Sequence, residues 1–178
     1  MADIPRRLGE RIGDGHMVTR SPMARGLARI LGLSVSGMDD PFVDGDGAAS
    51  IKVAAMVRIL RDKDLLVVYV ESRKDLGYYG GVEDKLRALE RVDRHVIEPM
   101  MAVMEAHKPY QVLLTSNGVV STETRRPEVG DVPFVLSGSV VTADDVEHWD
   151  EKQCVRGSLG VVSMDRVMDV LRSETRWA

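Results

Sequence analysis

The apolar positions of this chain change period along its length. From Leu65 to Val70 they are continuous, the pattern of a strand buried on both faces. A polar, glycine-containing turn follows, Glu71 to Gly81. From Val82 to about His107 the spacing becomes helical. Leu86, Leu89, Val96, Ile97, Met100 and Met104 predict a core-facing stripe there. Glu83, Asp84, Arg87, Glu90, Arg91 and Arg94 form a solvated face of mixed charge. Pro99 lies inside this segment and predicts a kink or a restart, because it removes a backbone donor and crowds the preceding turn. Tyr110 to Thr115 is a second apolar strand, closed by the loop Ser116-Asn117-Gly118. Strand, loop, helix, strand predicts one βαβ unit, with ligands at the loops beyond the carboxyl ends of the strands.

The flanking segments extend the alternation. Pro5 to Ile12 reads as a helical or irregular lead-in, and His16 to Thr19 as a short strand. Ser21-Pro22 predicts a helix start, with serine as cap and proline at the first helical position. Met23, Leu27, Ile30 and Leu31 make its apolar face, and Gly32 stops it. Leu33 to Val35 is a brief strand. Ala48 to Arg61 is a second helix with an apolar stripe at Ile51, Ala54, Ala55 and Ile59. Val132 to Leu136 is a third buried-type strand, Asp144 to His148 a helical turn, and Ser163 to Arg172 a final helix. The whole predicts an α/β fold, a mostly parallel sheet flanked by helices, in a single domain over residues 1–178.

With 178 residues and 44% apolar content, the chain can bury a real core. Its net charge of −4, with no basic stripe carrying interleaved aromatics, argues against nucleic acid as a partner. No apolar run is long enough to span a membrane, and the start has no secretory h-region. The single cysteine, Cys154, fits a reducing cytoplasm. Lys152 and Arg156 stand close enough in sequence to lower its pKa, yet no histidine pairs with it. The acidic loop from Ser36 to Gly47 lacks the alternating oxygen ligands and distal glutamate of an EF-hand, so an ordinary surface loop is expected.

Several stretches together resemble the archaeal-type, cofactor-independent phosphoglycerate mutases of the alkaline phosphatase superfamily. They are Ser21-Pro22-Met23-Ala24-Arg25-Gly26-Leu27-Ala28-Arg29, the Leu65 strand with Gly77, Gly80 and Lys85 behind it, and Glu90-Arg91-Val92-Asp93. Val132-Pro133 follows, then Val146-Glu147-His148-Trp149-Asp150-Glu151 with Cys154, Arg156-Gly157 and Leu159-Gly160. The resemblance runs over almost the whole chain but implies only about the C-terminal half of that phosphatase-like domain. It also implies a two-metal site with a serine or threonine nucleophile from the other half. Of the positions this half should supply, the first-loop aspartate falls at Lys74, or at Asp75 if the register shifts by one. The Asp-His pair falls at Asn117-Gly118. The later histidine falls near Pro127 to Gly130, where there is none.

Two-metal phosphoryl transfer needs clustered carboxylates and imidazoles. The four histidines, His16, His95, His107 and His148, form no close ligand pair with a carboxylate in the strand-end loops. The sequence therefore supports no catalytic residue, no metal ligand and no cofactor. The expected function is a truncated, non-catalytic, mutase-like binding or scaffold subunit, partnered by a copy of itself or by another protein. The alternative is one half of a split metal-dependent mutase or phosphatase. Where relatives place ligands for cations, this chain places cations: Arg73, Lys74, Arg125 and Arg126, with Asn117 among them and Arg20 and Arg156 in other loops. That substitution predicts a metal-free site for phosphate or a phosphorylated small molecule near Arg73, Lys74, Asn117, Arg125 and Arg126.

Overall fold

The computed structural model describes residues 14–37, 55–71, 81–106 and 108–172. The Pro5–Ile12 lead-in, the acidic loop beyond Gly37, the start of the second helix, Arg73, Lys74, Asp75 and His107 lie outside them. The chain divides into two compact units, Met1–Met104 and Glu105–Ala178.

The first unit is built on a parallel three-stranded sheet. Strand β1 (Gly15–Thr19) is central, between β2 (Ser34–Ser36) and β3 (Leu65–Tyr69). Helix α1 (Pro22–Ile30) joins β1 to β2, and residues 55–62 form helix α2 ahead of β3. Successive β1 side chains point to opposite faces, so the two faces carry separate cores. Met17 packs with Ala24, Ala28 and Leu33 on the α1 side. Val18 packs with Met56 and Val96 on the other. The expected α/β sheet with helices on both faces is present in this unit.

Helix α1 starts and stops as its sequence dictates. The Ser21 Oγ accepts from the Ala24 amide at 3.5 Å, and proline occupies the first turn. At the other end Gly32 takes φ +80°. Its N–H donates to the Arg29 carbonyl, and Leu33 N–H donates to Ala28. That pair of bonds is the Schellman arrangement, which glycine adopts at least cost. Of its expected apolar face only Leu31, at the C-terminal end, packs against the core. Ala24 and Ala28 meet the sheet, while Met23, Leu27 and Ile30 are 76%, 54% and 63% exposed. Only side chains as small as alanine fit where the helix lies this close to β1 and β2.

The long helical segment is interrupted as Pro99 predicts. Helix α3 (Val82–Val92) gives way to a wide π turn, Asp93–Ile97, and continues as α4 (Glu98–Glu105). Glu98 N–H reaches back to the Asp93 carbonyl, five residues away. Proline has no N–H for the usual partner and its ring crowds that carbonyl; the widened turn relieves both. Val96 and Met104 are buried, but Val82, Leu86 and Leu89 on α3 are exposed, so the expected core stripe holds only in its second half.

The second unit corrects the βαβ reading. Strand β4 (Gln111–Thr115) pairs with β7 (Phe134–Gly138), and the pairing is antiparallel; among the described residues β3 pairs with β1 instead. Between β4 and β7 the short strands β5 (Val119–Val120) and β6 (Pro127–Glu128) form a hairpin that reverses the chain. Strand β7 starts after Pro133, two residues later than its apolar run, since proline has no N–H for the ladder. Gly138 is required at its end. A Cβ there would lie 2.9 Å from Gln111 Cα and closer still to the Tyr110 carbonyl. The segment from Asp144 to His148 is not helical. The helical turn comes later, as α5 (Glu151–Cys154), because Asp150 caps it by accepting from the Lys152 and Gln153 amides. A 3₁₀ turn, Met164–Arg166, leads into α6 (Val167–Arg172).

Candidate functional site

In a parallel sheet the place to look is beyond the carboxyl ends of the strands. In the first unit those ends carry Thr19, Arg20 and Ser21 after β1, Ser36 after β2, and Glu71 after β3. Thr19 and Ser21 are buried. The Thr19 Oγ1 accepts from the Ser21 amide at 3.1 Å, and the Ser21 hydroxyl donates to Glu71 Oε1 at 3.3 Å. Ser21 thus caps α1 and ties the β1–α1 turn to the end of β3. Its hydroxyl is buried, with both its proton and an acceptor site engaged, so it is a structural clasp and cannot reach a substrate.

His16 lies nearer the start of β1. Its Nδ1 is 2.7 Å from Ser34 Oγ and its Nε2 is 2.8 Å from Ser36 Oγ. Ser34 Oγ donates to the Gly15 carbonyl at 3.3 Å, so it accepts from Nδ1–H, and Nε2 accepts from Ser36. Both ring nitrogens are satisfied within the sheet. Burial, and secondarily the Lys63 ammonium, hold the imidazole below its ordinary pKa of 6.5. Lys63 is itself paired with Asp14 at 2.8 Å. A neutral imidazole bonded to two hydroxyls is a cross-strand brace.

The expected anion-site residues divide between places. Arg125 and Arg126 stand together at the tip of the β5–β6 hairpin. Arg125 adopts φ +55° there and donates its N–H to the Ser121 carbonyl. The Ser121 hydroxyl accepts from the Glu123 and Thr124 amides and shapes the turn. Asn117 lies at the other end of that hairpin, before β5. Arg20 belongs to the first unit, and Arg156 follows α5. Arg125 and Arg126 are chain neighbours in the turn between β5 and β6, and Asn117 precedes β5.

The mutase-like motif from Val146 to Gly160 is a braced loop. Asp144 Oδ1 accepts from the Val146 amide at 3.0 Å and Oδ2 from the Ser158 amide at 2.8 Å. These bonds, Ser158 first, hold its carboxyl below the usual range. Gln153 Oε1 accepts from the Glu147 and His148 amides. Cys154 is pushed up by burial and by the neighbouring acids, not down by Lys152 and Arg156, so it is a poor thiolate. Sequence reasoning missed Asp144 and Gln153 as braces and Glu71 as the partner of Ser21. An acid two residues before a turn amide signals the first; nothing local signals the other two.

No family model matches the chain. It is 31% identical over 160 residues to 2,3-bisphosphoglycerate-independent phosphoglycerate mutase 2 of Methanothermobacter thermautotrophicus, across 88% of this chain and 39% of that protein. It is 29% identical over 160 residues to the 2,3-bisphosphoglycerate-independent phosphoglycerate mutase of Methanothrix thermoacetophila, across 88% and 40%. The chain is a partial homologue of the cofactor-independent phosphoglycerate mutases. It spans about two fifths of the length of the curated relatives it matches. The fold agrees. A Pyrococcus horikoshii protein superposes with a TM-score of 0.73 at 19% identity, over 91% of this chain and 42% of that one. The cofactor-independent phosphoglycerate mutase of Thermoplasma acidophilum gives 0.55 at 22% identity, over 89% and 35%.

Among the described residues, no three of His, Cys, Asp and Glu are grouped to hold an ion. The described strand ends offer hydroxyls, the Arg20 guanidinium, the amide of Asn117 and the Glu71 carboxylate. No helix among them is long and apolar enough to cross a membrane.

Proposed function

We propose that this chain is a non-catalytic, phosphoglycerate-mutase-like subunit that binds or scaffolds within a larger assembly in the cytoplasm. One observation carries this reading. Two apolar helix stripes, Met23–Leu27–Ile30 on α1 and Val82–Leu86–Leu89 on α3, are open to solvent. Apolar stripes exposed on successive turns of a helix are surfaces that a partner, a second copy or another chain, would cover. The hydrogen bonds of β1 and its outgoing turn support the non-catalytic part, since Ser21 and His16 are spent on structure.

The second reading is one half of a split metal-dependent mutase or phosphatase, completed by another chain. The extent of the match favours it, because this chain aligns with one part of a longer enzyme. Native mass spectrometry of the protein gently purified from its own cells separates the two. A metal-free homomer or heteromer is expected. Two divalent ions in an assembly with a second, complementary chain would establish the split enzyme instead.

A metal-free phosphate site at Arg73, Lys74, Asn117, Arg125 and Arg126 is part of the proposal. Titration with inorganic phosphate should show binding that Lys74→Ala with Arg125→Ala removes; an unchanged titration rejects the site.

A further inference from the structure

We infer that the outer face of α1 is the seat of an acid-flanked amphipathic helix presented by a separate polypeptide. This rests on the binding-subunit reading and names the partner's chemistry. Met23, Leu27 and Ile30 recur at helical spacing and share one face. All three are more than half exposed, although α1 is fixed at both ends and packed on the sheet through Ala24 and Ala28. The stripe is therefore a rigid, preformed surface, which lowers the ordering cost of binding.

The charge on α1 selects the occupant. Its charged residues are Arg25 and Arg29, and it carries no acid. At about 100° per residue, one side of the apolar stripe borders the sheet-facing alanines. The other side runs to Gly26, then Arg29, then Arg25. Nothing lies within 4 Å of where a Gly26 Cβ would be. A helix laid on the stripe can approach closely at Gly26, and its flank then meets Arg29. Acidic residues on that flank are complementary; basic ones are repelled. The α3 stripe differs, because acids and bases alternate around it and select no sign.

The test uses the full chain and two labelled designed peptides with the same leucine stripe, one glutamate-flanked and one lysine-flanked. Fluorescence anisotropy at low salt should show the acidic peptide binding about tenfold more tightly than the basic one. Leu27→Asp should abolish binding, and Arg29→Glu should reverse the preference. Leu86→Asp, on α3, should change neither. Circular dichroism checks that each surface variant is folded. The inference is overturned if neither peptide binds, if both bind alike, or if binding survives Leu27→Asp. It is also overturned if the chain self-associates through α1, with Leu27→Asp making it monomeric. Should the peptides fail while native mass spectrometry recovers a heteromer, the α1 seat is wrong and the binding-subunit reading stands.

Discussion

The α1 layer of the first unit and the β4–β7 ladder of the second are both held by close approach, but at different separations. On α1 the approach leaves room for a methyl group: Ala28 is fully buried against the sheet, and the larger side chains are turned outward. On β7 it leaves less than that, because the Tyr110–Gln111 backbone occupies the space where a Gly138 Cβ would stand. Ser139 completes the contact, its N–H donating to the Tyr110 carbonyl and its hydroxyl accepting from the Tyr110 amide. Proximity, more than hydrophobicity, thus decides which residues are inside. A helix set close to a sheet excludes its own leucine, methionine and isoleucine, and those become available to something else.

The comparison is tested most severely at Gly138. Gly138→Ala forces the Gln111 and Tyr110 backbone to move and should cost about 3 kcal/mol of unfolding free energy, read by urea denaturation. A loss below about 0.5 kcal/mol would mean that the ladder slides freely at this end, and the contrast with α1 would disappear.

The α1 layer is tested by two neighbouring substitutions. Ala28→Leu overfills the gap against Met17 and should cost about 2 kcal/mol, whereas Leu27→Ala on the outer face should stay within about 0.5 kcal/mol. If Leu27→Ala proved as costly as Ala28→Leu in the isolated protein, the stripe would already be covered in solution by another copy.

The same physics sets what could be read from the sequence. Element types were legible wherever a local rule fixed them. The Ser21-Pro22 start and Gly32 stop of α1 and the interruption near Pro99 follow from backbone chemistry within a few residues, and the apolar run at Leu65 is a strand, half-buried along its length instead of buried on both faces. Facing was not legible, because periodicity finds the apolar face of a helix without saying how near the sheet lies. That is why Met23, Leu27 and Ile30 read as core and Ala24 and Ala28 did not. Pairing was not legible either: the β5–β6 hairpin, which brings β7 back antiparallel to β4, has strands of two residues each, too short for any period. The partners of the loop residues were not legible either. Hydrogen bonds between residues far apart, such as Ser21 with Glu71 and His16 with Ser34, turned plausible reactive groups into braces.

His16 gives the smallest effect and the one that bears most directly on that brace. The folded state holds its imidazole below the ordinary value of 6.5, through burial and the nearby Lys63 charge. An unfolded chain therefore takes up a proton near that value, while the folded chain still resists it. The contribution is fully present above pH 6.5 and is lost as pH falls toward the lower folded value. His16→Asn keeps a group able to bond a hydroxyl but cannot titrate. Thermal melts between pH 7.5 and pH 5, which bracket the ordinary histidine range, should show the parent losing melting temperature more steeply than this variant. Parallel curves would mean that the imidazole is solvated and bears its charge freely, and the first unit's edge strand would then rest on its ladder alone.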